Sequence, residues 1–240
     1  MKSVFIVFIL LFISALSCTA RNKVAVDLAI RPGTHTFSCR YTLEVAASDQ
    51  LLLNLDRNFK VESVTGARVR TYTSTLFYDG FQKDTLRRLA IQFASIKARQ
   101  TITVQYTGTI SKRYYADSVA EFTAQAAWVP NIPDREYDLV DYSLVVRVPA
   151  DYQVVSTHEP RSAAPGRYTF MGTGPNIEIG AIAARRFTRL ASADNPGVVM
   201  QKANRPVTAI DTRLLGDASK IIAYQNKIIG SKDPIRRFTF

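Results

Sequence analysis

Two histidines, His35 and His158, are the only imidazoles in this 240-residue chain. A zinc-binding H-E-x-x-H pair needs two of them one helical turn apart, aimed at a single ion. His35 stands in a turn segment, and His158 opens His-Glu-Pro with no second histidine four residues on. Pro160 would also break a helix there. Both histidines are expected to be surface turn residues. Serine nucleophiles are therefore left without a convincing base, and no glycine-rich phosphate loop is present. Asp134, Glu136, Asp138 and Asp141 form an acidic cluster, but a hard-cation loop also needs glycine at its sharp bend. A solvated loop is expected instead. Trp128, Tyr137, Tyr142 and Tyr152 can form a sugar-binding platform, although aromatic residues beside strands more often fill core.

The elements that must position these residues are strands. Val24, Val26, Leu28 and Ile30 alternate with polar or small residues, and 37–45 follows with Tyr41, Leu43 and Val45 on one face. Runs at 51–55, 75–78, 89–93 and 102–106 read as further short strands. Turn chemistry separates them at Arg31-Pro-Gly, Asp56-Arg-Asn, Tyr78-Asp-Gly and Ala164-Pro-Gly. Over 141–157 a strand, a Pro149-Ala-Asp turn and a second strand predict a hairpin. The pattern predicts a mainly β fold, an antiparallel sandwich or saddle of two or more sheets.

Near Ala191 the pattern changes. Segment 192–212 is polar and punctuated by Pro196-Gly197 and Pro206, with a short strand at 198–201. Leu214, Leu215, Ala218, Ile221, Ile222, Ile228 and Ile229 then recur at helical spacing. Asp211 or Thr212 is expected to cap this helix, and Gly230 to end it in a left-handed conformation. Segment 235–240 begins another apolar strand. The expected organisation is a leader over 1–20, a β-rich domain over 21–205, and a linker, helix and strand over 206–240. That last segment has the look of an incomplete α-helical or α+β domain.

The leader has Lys2, an unbroken apolar run at 4–13 and small residues after it. A membrane span needs about 20 apolar residues, so an export signal is expected. Cleavage can follow Ala20. Alternatively, Ala15-Leu-Ser-Cys18 resembles a lipoprotein box, with Cys18 as the lipidated anchor. Either way the expected location is outside the cytoplasm, in the periplasm or attached to the cell envelope. Two cysteines make no disulfide framework, and a Cys18–Cys39 bridge would staple only the amino terminus. The net charge of +11 comes from scattered pairs such as Arg87-Arg88 and Arg236-Arg237. No nucleic-acid-binding signature accompanies them, so nucleic acid is excluded as a partner.

From about Lys23 onward the layout resembles the amino-terminal domain of the aminopeptidase N family of zinc exopeptidases. The resemblance rests on LLLNLDRNFKVESVTG (51–66), QTITVQYTG (100–108), the corner from Trp128 to Pro133, the 141–157 segment and GAIAARRF (180–187). It implies that zinc belongs to a following catalytic domain and that this chain carries no cofactor. It also implies that this domain lends a Glu or Gln to the free α-amino group of a peptide substrate, from just before the proline-containing corner. Glu121, nine residues ahead of Pro130, falls in that place, and a small alignment shift puts Gln125 there. Two functions remain open at this point. One is an exported, non-catalytic region of such a peptidase that shapes its substrate cleft. The other is a stand-alone envelope β-sandwich that binds a peptide, glycan or partner protein.

Overall fold

Strict alternation of buried and exposed side chains builds the centre of the molecule. The computed structural model describes residues 21–80, 83–95, 98–116, 118–230, 234–235 and 238–239. The expected leader and Cys18 lie outside them. In chain order the strands begin with β1 (Asn22–Arg31), β2 (Thr36–Val45), β3 (Gln50–Asp56), β4 (Lys60–Thr65), β5 (Val69–Asp79) and β6 (Asp84–Phe93). Then come β7 (Gln100–Thr109), β8 (Tyr115–Ala116), β9 (Val119–Phe122), β10 (Leu139–Arg147), β11 (Gln153–Val155) and β12 (Ser162–Ala164). β13 (Arg167–Pro175), β14 (Ala181–Ala184), β15 (Phe187–Ala191) and β16 (Val198–Ala203) lead to helix α1 (Ala209–Ile229) and β17 (Phe238–Thr239).

A seven-stranded sheet runs β12-β13-β10-β1-β2-β7-β4, with a three-stranded sheet β3-β6-β5 and a four-stranded sheet β11-β14-β9-β8 beside it. These three sheets share one core that includes Leu28, Tyr41, Leu53, Ile91, Ile102, Trp128, Leu144 and Phe170. The mainly β expectation is met. Most pairs are antiparallel, but β1 pairs parallel to β10, from Asn22↔Val140 to Ala29↔Arg147. The pairing seats the first strand near the middle of the largest sheet, where alternate side chains meet the core.

The predicted 141–157 hairpin is corrected. β10 pairs with β1 and β13, whereas β11 pairs with β14 in a different sheet. The turn responsible is closed by the Tyr152 N–H donating to the Pro149 carbonyl at 3.0 Å, and Tyr152 itself is buried. Burying that ring carries the chain across to the second sheet before a hairpin can form. Of the four aromatic residues noted in this region, Trp128, Tyr142 and Tyr152 are core and Tyr137 is exposed. They form no common platform.

β15, β16 and β17 make a separate three-stranded sheet. Val198, Met200, Leu215 and Ile222 form its own small core with α1, and Ile235 packs against it. No described helix is long and apolar enough to cross a membrane.

The helix start is also corrected. Thr208, extended at φ −120°, is the N-cap, not Asp211 or Thr212. Its hydroxyl accepts from the Asp211 N–H, and the Asp211 carboxylate accepts from the Thr208 N–H at 2.6 Å. This reciprocal box outcompetes a cap one turn later because it satisfies donors at both ends. Gly230 ends the helix with a positive φ of 79°, but its ψ of −168° lies outside the expected left-handed helical region. The Lys202 ammonium on β16, then the Thr208 hydroxyl and N–H, hold the Asp211 carboxyl down to about 2. A depressed carboxyl contributes stability above its unfolded value of about 3.9, lost as pH falls through the folded one. Thr208→Ala should cost about 1 kcal/mol in a denaturant titration at pH 7. The gap between wild type and variant should narrow between pH 4 and 2; a constant gap would remove Asp211 from the account.

Candidate functional site

The segment expected to carry function is a corner held from three sides. β9 leads through a 3-10 turn, Ala124–Ala126, into Ala127, which is left-handed at φ 43°. Trp128, Val129, Pro130 and Asn131 follow, all buried. The Tyr106 hydroxyl on β7 donates to the Trp128 carbonyl at 2.6 Å. Asn176 donates through Nδ2 to the Pro130 carbonyl at 2.9 Å and accepts at Oδ1 from the Tyr41 hydroxyl at 3.2 Å. Asn131 and Asn54 exchange backbone hydrogen bonds of 2.8 and 3.0 Å. Burial raises the Tyr41 and Tyr106 phenols well above the ordinary range, so both stay neutral donors. It pushes the neighbouring Cys39 thiol up to about 12, which makes this free cysteine inert near neutral pH.

Glu121 and Gln125 are both exposed, but they line different hollows. Glu121 lies on β9 opposite Ile182 of β14. It borders a pinched cavity of about 40 Å³ with Asp56, Asn58, Tyr114 and Trp128. Gln125 borders a cavity of about 290 Å³, nearer the size of a small-ligand site. The Tyr114 hydroxyl donates to the Gln125 carbonyl at 2.5 Å and fixes the turn. The walls of the larger cavity are Thr123, Ala124, Val155, Ser156, Gly180, Ala181 and Ile182, with Thr157, Glu178, Gln201 and Thr239 completing it.

Glu178 and Gln201 are absent from the sequence expectation. Glu178 is brought in by the last 3-10 turn before β14, and Gln201 by β16. Gly180 is the one local signal. A Cβ there would stand 2.8 Å from the Phe122 carbonyl oxygen, so glycine permits the approach of β14 to β9.

The two histidines are not brought together. His35 is exposed and lies against Tyr115, with ring centres 4.1 Å apart and planes tilted by 37°. His158 corrects the surface expectation: it is half-buried, its Nδ1 lies 2.7 Å from the Tyr142 hydroxyl, and its ring covers Gly172. Within the acidic cluster, Asp138 pairs with Arg135 at 2.6 Å and Asp141 with Arg21 at 3.6 Å, while the Glu136 carboxylate accepts from the Asp134 N–H at 3.2 Å. Among the described residues no group of three His, Cys, Asp or Glu is placed to hold a metal ion. These residues do not fit a zinc site.

No protein-family model and no curated protein matches the sequence. Solved structures do match. Native yeast LTA4 hydrolase superposes with a TM-score of 0.63 at 15% identity, covering 92% of this chain and 37% of that one. A mutant M1 zinc metallopeptidase from Deinococcus radiodurans gives 0.62 at 15% identity, over 91% and 55%. The chain shares its fold with M1 zinc metallopeptidases. Yeast LTA4 hydrolase in complex with bestatin gives the same result, with a TM-score of 0.61 at 14% identity over 87% and 35%. The chain thus spans between about a third and just over half of these metallopeptidase structures. The β-rich architecture that the sequence resemblance implied is the one found.

Proposed function

We propose that this chain serves as the exported, non-catalytic amino-terminal region of an aminopeptidase-N-like zinc peptidase. In that role it forms one wall of the substrate cleft and helps hold the peptide's amino end. The observation that carries this proposal is the 290 Å³ cavity beside the clamped corner, set in a fold shared with M1 metallopeptidases over most of the chain. The Gln125 amide oxygen accepts from the substrate ammonium, and the apolar wall of Ala124, Val155 and Ile182 takes the adjoining side chain. Glu121 offers a full charge but faces the pinched hollow, so Gln125 carries the contact and Glu121 serves as the internal comparison. Zinc and its ligands belong to a catalytic domain outside this chain. Lipidation of Cys18 would tether the assembly to the envelope.

Leucinamide and N-acetyl-leucinamide separate this role from a general apolar hollow. By NMR titration the free amine should bind with a Kd on the order of millimolar, as suits so small a ligand. The acetylated form should bind at least about fivefold more weakly, the value of one lost hydrogen bond. Gln125→Ala should remove the difference and Glu121→Ala should preserve it. Equal binding of the two ligands to the unaltered chain would end the amino-end role.

A further inference from the structure

The larger cavity beside the corner has one charge on its wall. Among the described residues that line it, Glu178 is the only ionisable side chain. Its backbone is anchored on both sides. Asn176 is held by the Tyr41 hydroxyl and the Pro130 carbonyl. Ile179 is fully buried and donates its N–H to the Asn176 carbonyl at 3.3 Å. The Glu178 side chain between them is exposed, and among the described residues no hydrogen bond or ion pair engages its carboxylate.

Neighbouring polar groups are already committed. The Ser156 hydroxyl donates to the Gly180 carbonyl at 2.6 Å, and the Thr157 hydroxyl lies 3.2 Å from that of Tyr142. The rest of the wall is apolar: Val155 and Ile182 stand opposite one another across β11 and β14, with Ala124 also on the lining. An aliphatic stem suits such a surface and a cationic end suits the carboxylate. Lysine and arginine side chains combine the two. An acidic side chain would meet like charge here, and an apolar one would offer the carboxylate nothing.

We propose that Glu178 is a specificity-determining residue of this cavity, selecting a lysine or arginine side chain of the bound peptide. This rests on the reading of the cavity as part of a substrate cleft, in which a following domain faces Glu178 across the peptide instead of sealing it. The net charge of +11 opposes a cationic ligand, so a preference for lysine has to originate in a local acid.

Lysinamide and norleucinamide test this on the full chain, because norleucine is lysine without its ε-ammonium. In NMR titrations at low salt, lysinamide should bind at least about threefold more tightly, as one partly screened ion pair allows. The gap should close as salt is raised. Glu178→Gln should equalise the two ligands and leave norleucinamide binding unchanged; its side chain is exposed, so the fold tolerates the exchange. Equal affinities in the unaltered chain would overturn the proposal, as would a lysine preference that survives Glu178→Gln. Weaker norleucinamide binding in Glu178→Gln would assign the carboxylate to the α-ammonium and overturn it too. Leucinamide and its acetylated form report on the cleft reading separately. If they are discriminated while lysine gains nothing, only the role of Glu178 falls. If they bind equally while Glu178→Gln abolishes a lysine preference, Glu178 keeps its role and the amino-end reading falls.

Discussion

Trp128→Ala should cost about 3–5 kcal/mol of folding stability, the range for emptying a fully buried tryptophan site. The ring is 1% exposed and stands edge-on to Phe122, with centroids 5.4 Å apart. Its backbone carbonyl is the acceptor for Tyr106, so collapse of the site would also loosen that bond. Trp128→Phe is the informative companion. The indole Nε1 is buried and has no hydrogen-bond partner among the described residues. Phenylalanine therefore leaves nothing newly unpaired and restores most of the volume. Its cost should be less than half that of alanine. Urea titration followed by circular dichroism is the measurement, because Trp128 is the only tryptophan and its fluorescence vanishes with it. A loss below about 1 kcal/mol for Trp128→Ala would mean the corner is not seated as described.

Asn176→Ala is expected to be nearly as damaging, for a different reason. The amide joins two buried groups, accepting from Tyr41 and donating to the Pro130 carbonyl. Alanine leaves a phenol and a carbonyl dry and unpaired, at about 1–3 kcal/mol each. Adding Tyr41→Phe to Asn176→Ala should recover part of the loss, since it deletes one of the two orphans. If the double variant is instead less stable than Asn176→Ala by more than about 1 kcal/mol, packing and not hydrogen bonding governs the site. Combined with Trp128→Ala, Asn176→Ala should be less than additive, because both act on the same corner.

These two residues show where sequence stopped short. The strands themselves were legible, because Val24, Val26, Leu28 and Ile30 write their burial directly as period two. So was the helix, although its cap was misplaced by one turn: Thr208 lies in a polar stretch with no periodicity to mark the boundary. Asn176 gave no signal. Its partners are Tyr41 and Pro130, 135 and 46 positions away, and nothing local demands an amide there. The same distance problem hid Glu178 and Gln201, which reach the cavity from β14's approach and from β16. Glu121 and Gln125 illustrate the converse. Four residues apart, one on β9 and the other inside the 3-10 turn that follows it, they look interchangeable in sequence, yet they border different hollows. The 141–157 segment misled because alternation reports which side chains are buried and not which strand lies alongside.

The parallel pairing of β1 with β10 has a consequence for how the molecule is made. Asn22 and Val140 are 118 positions apart, and every residue of β1 from Asn22 to Ala29 waits for a partner equally remote. β2 can join β1 early through a short turn, but the other edge of β1 stays open until the chain has been synthesised past Arg147. Closing so large a loop precedes any contact that rewards it, and folds dominated by such distant pairings form slowly. Until that partner strand is made, the seven-stranded sheet, the largest of the molecule, cannot close.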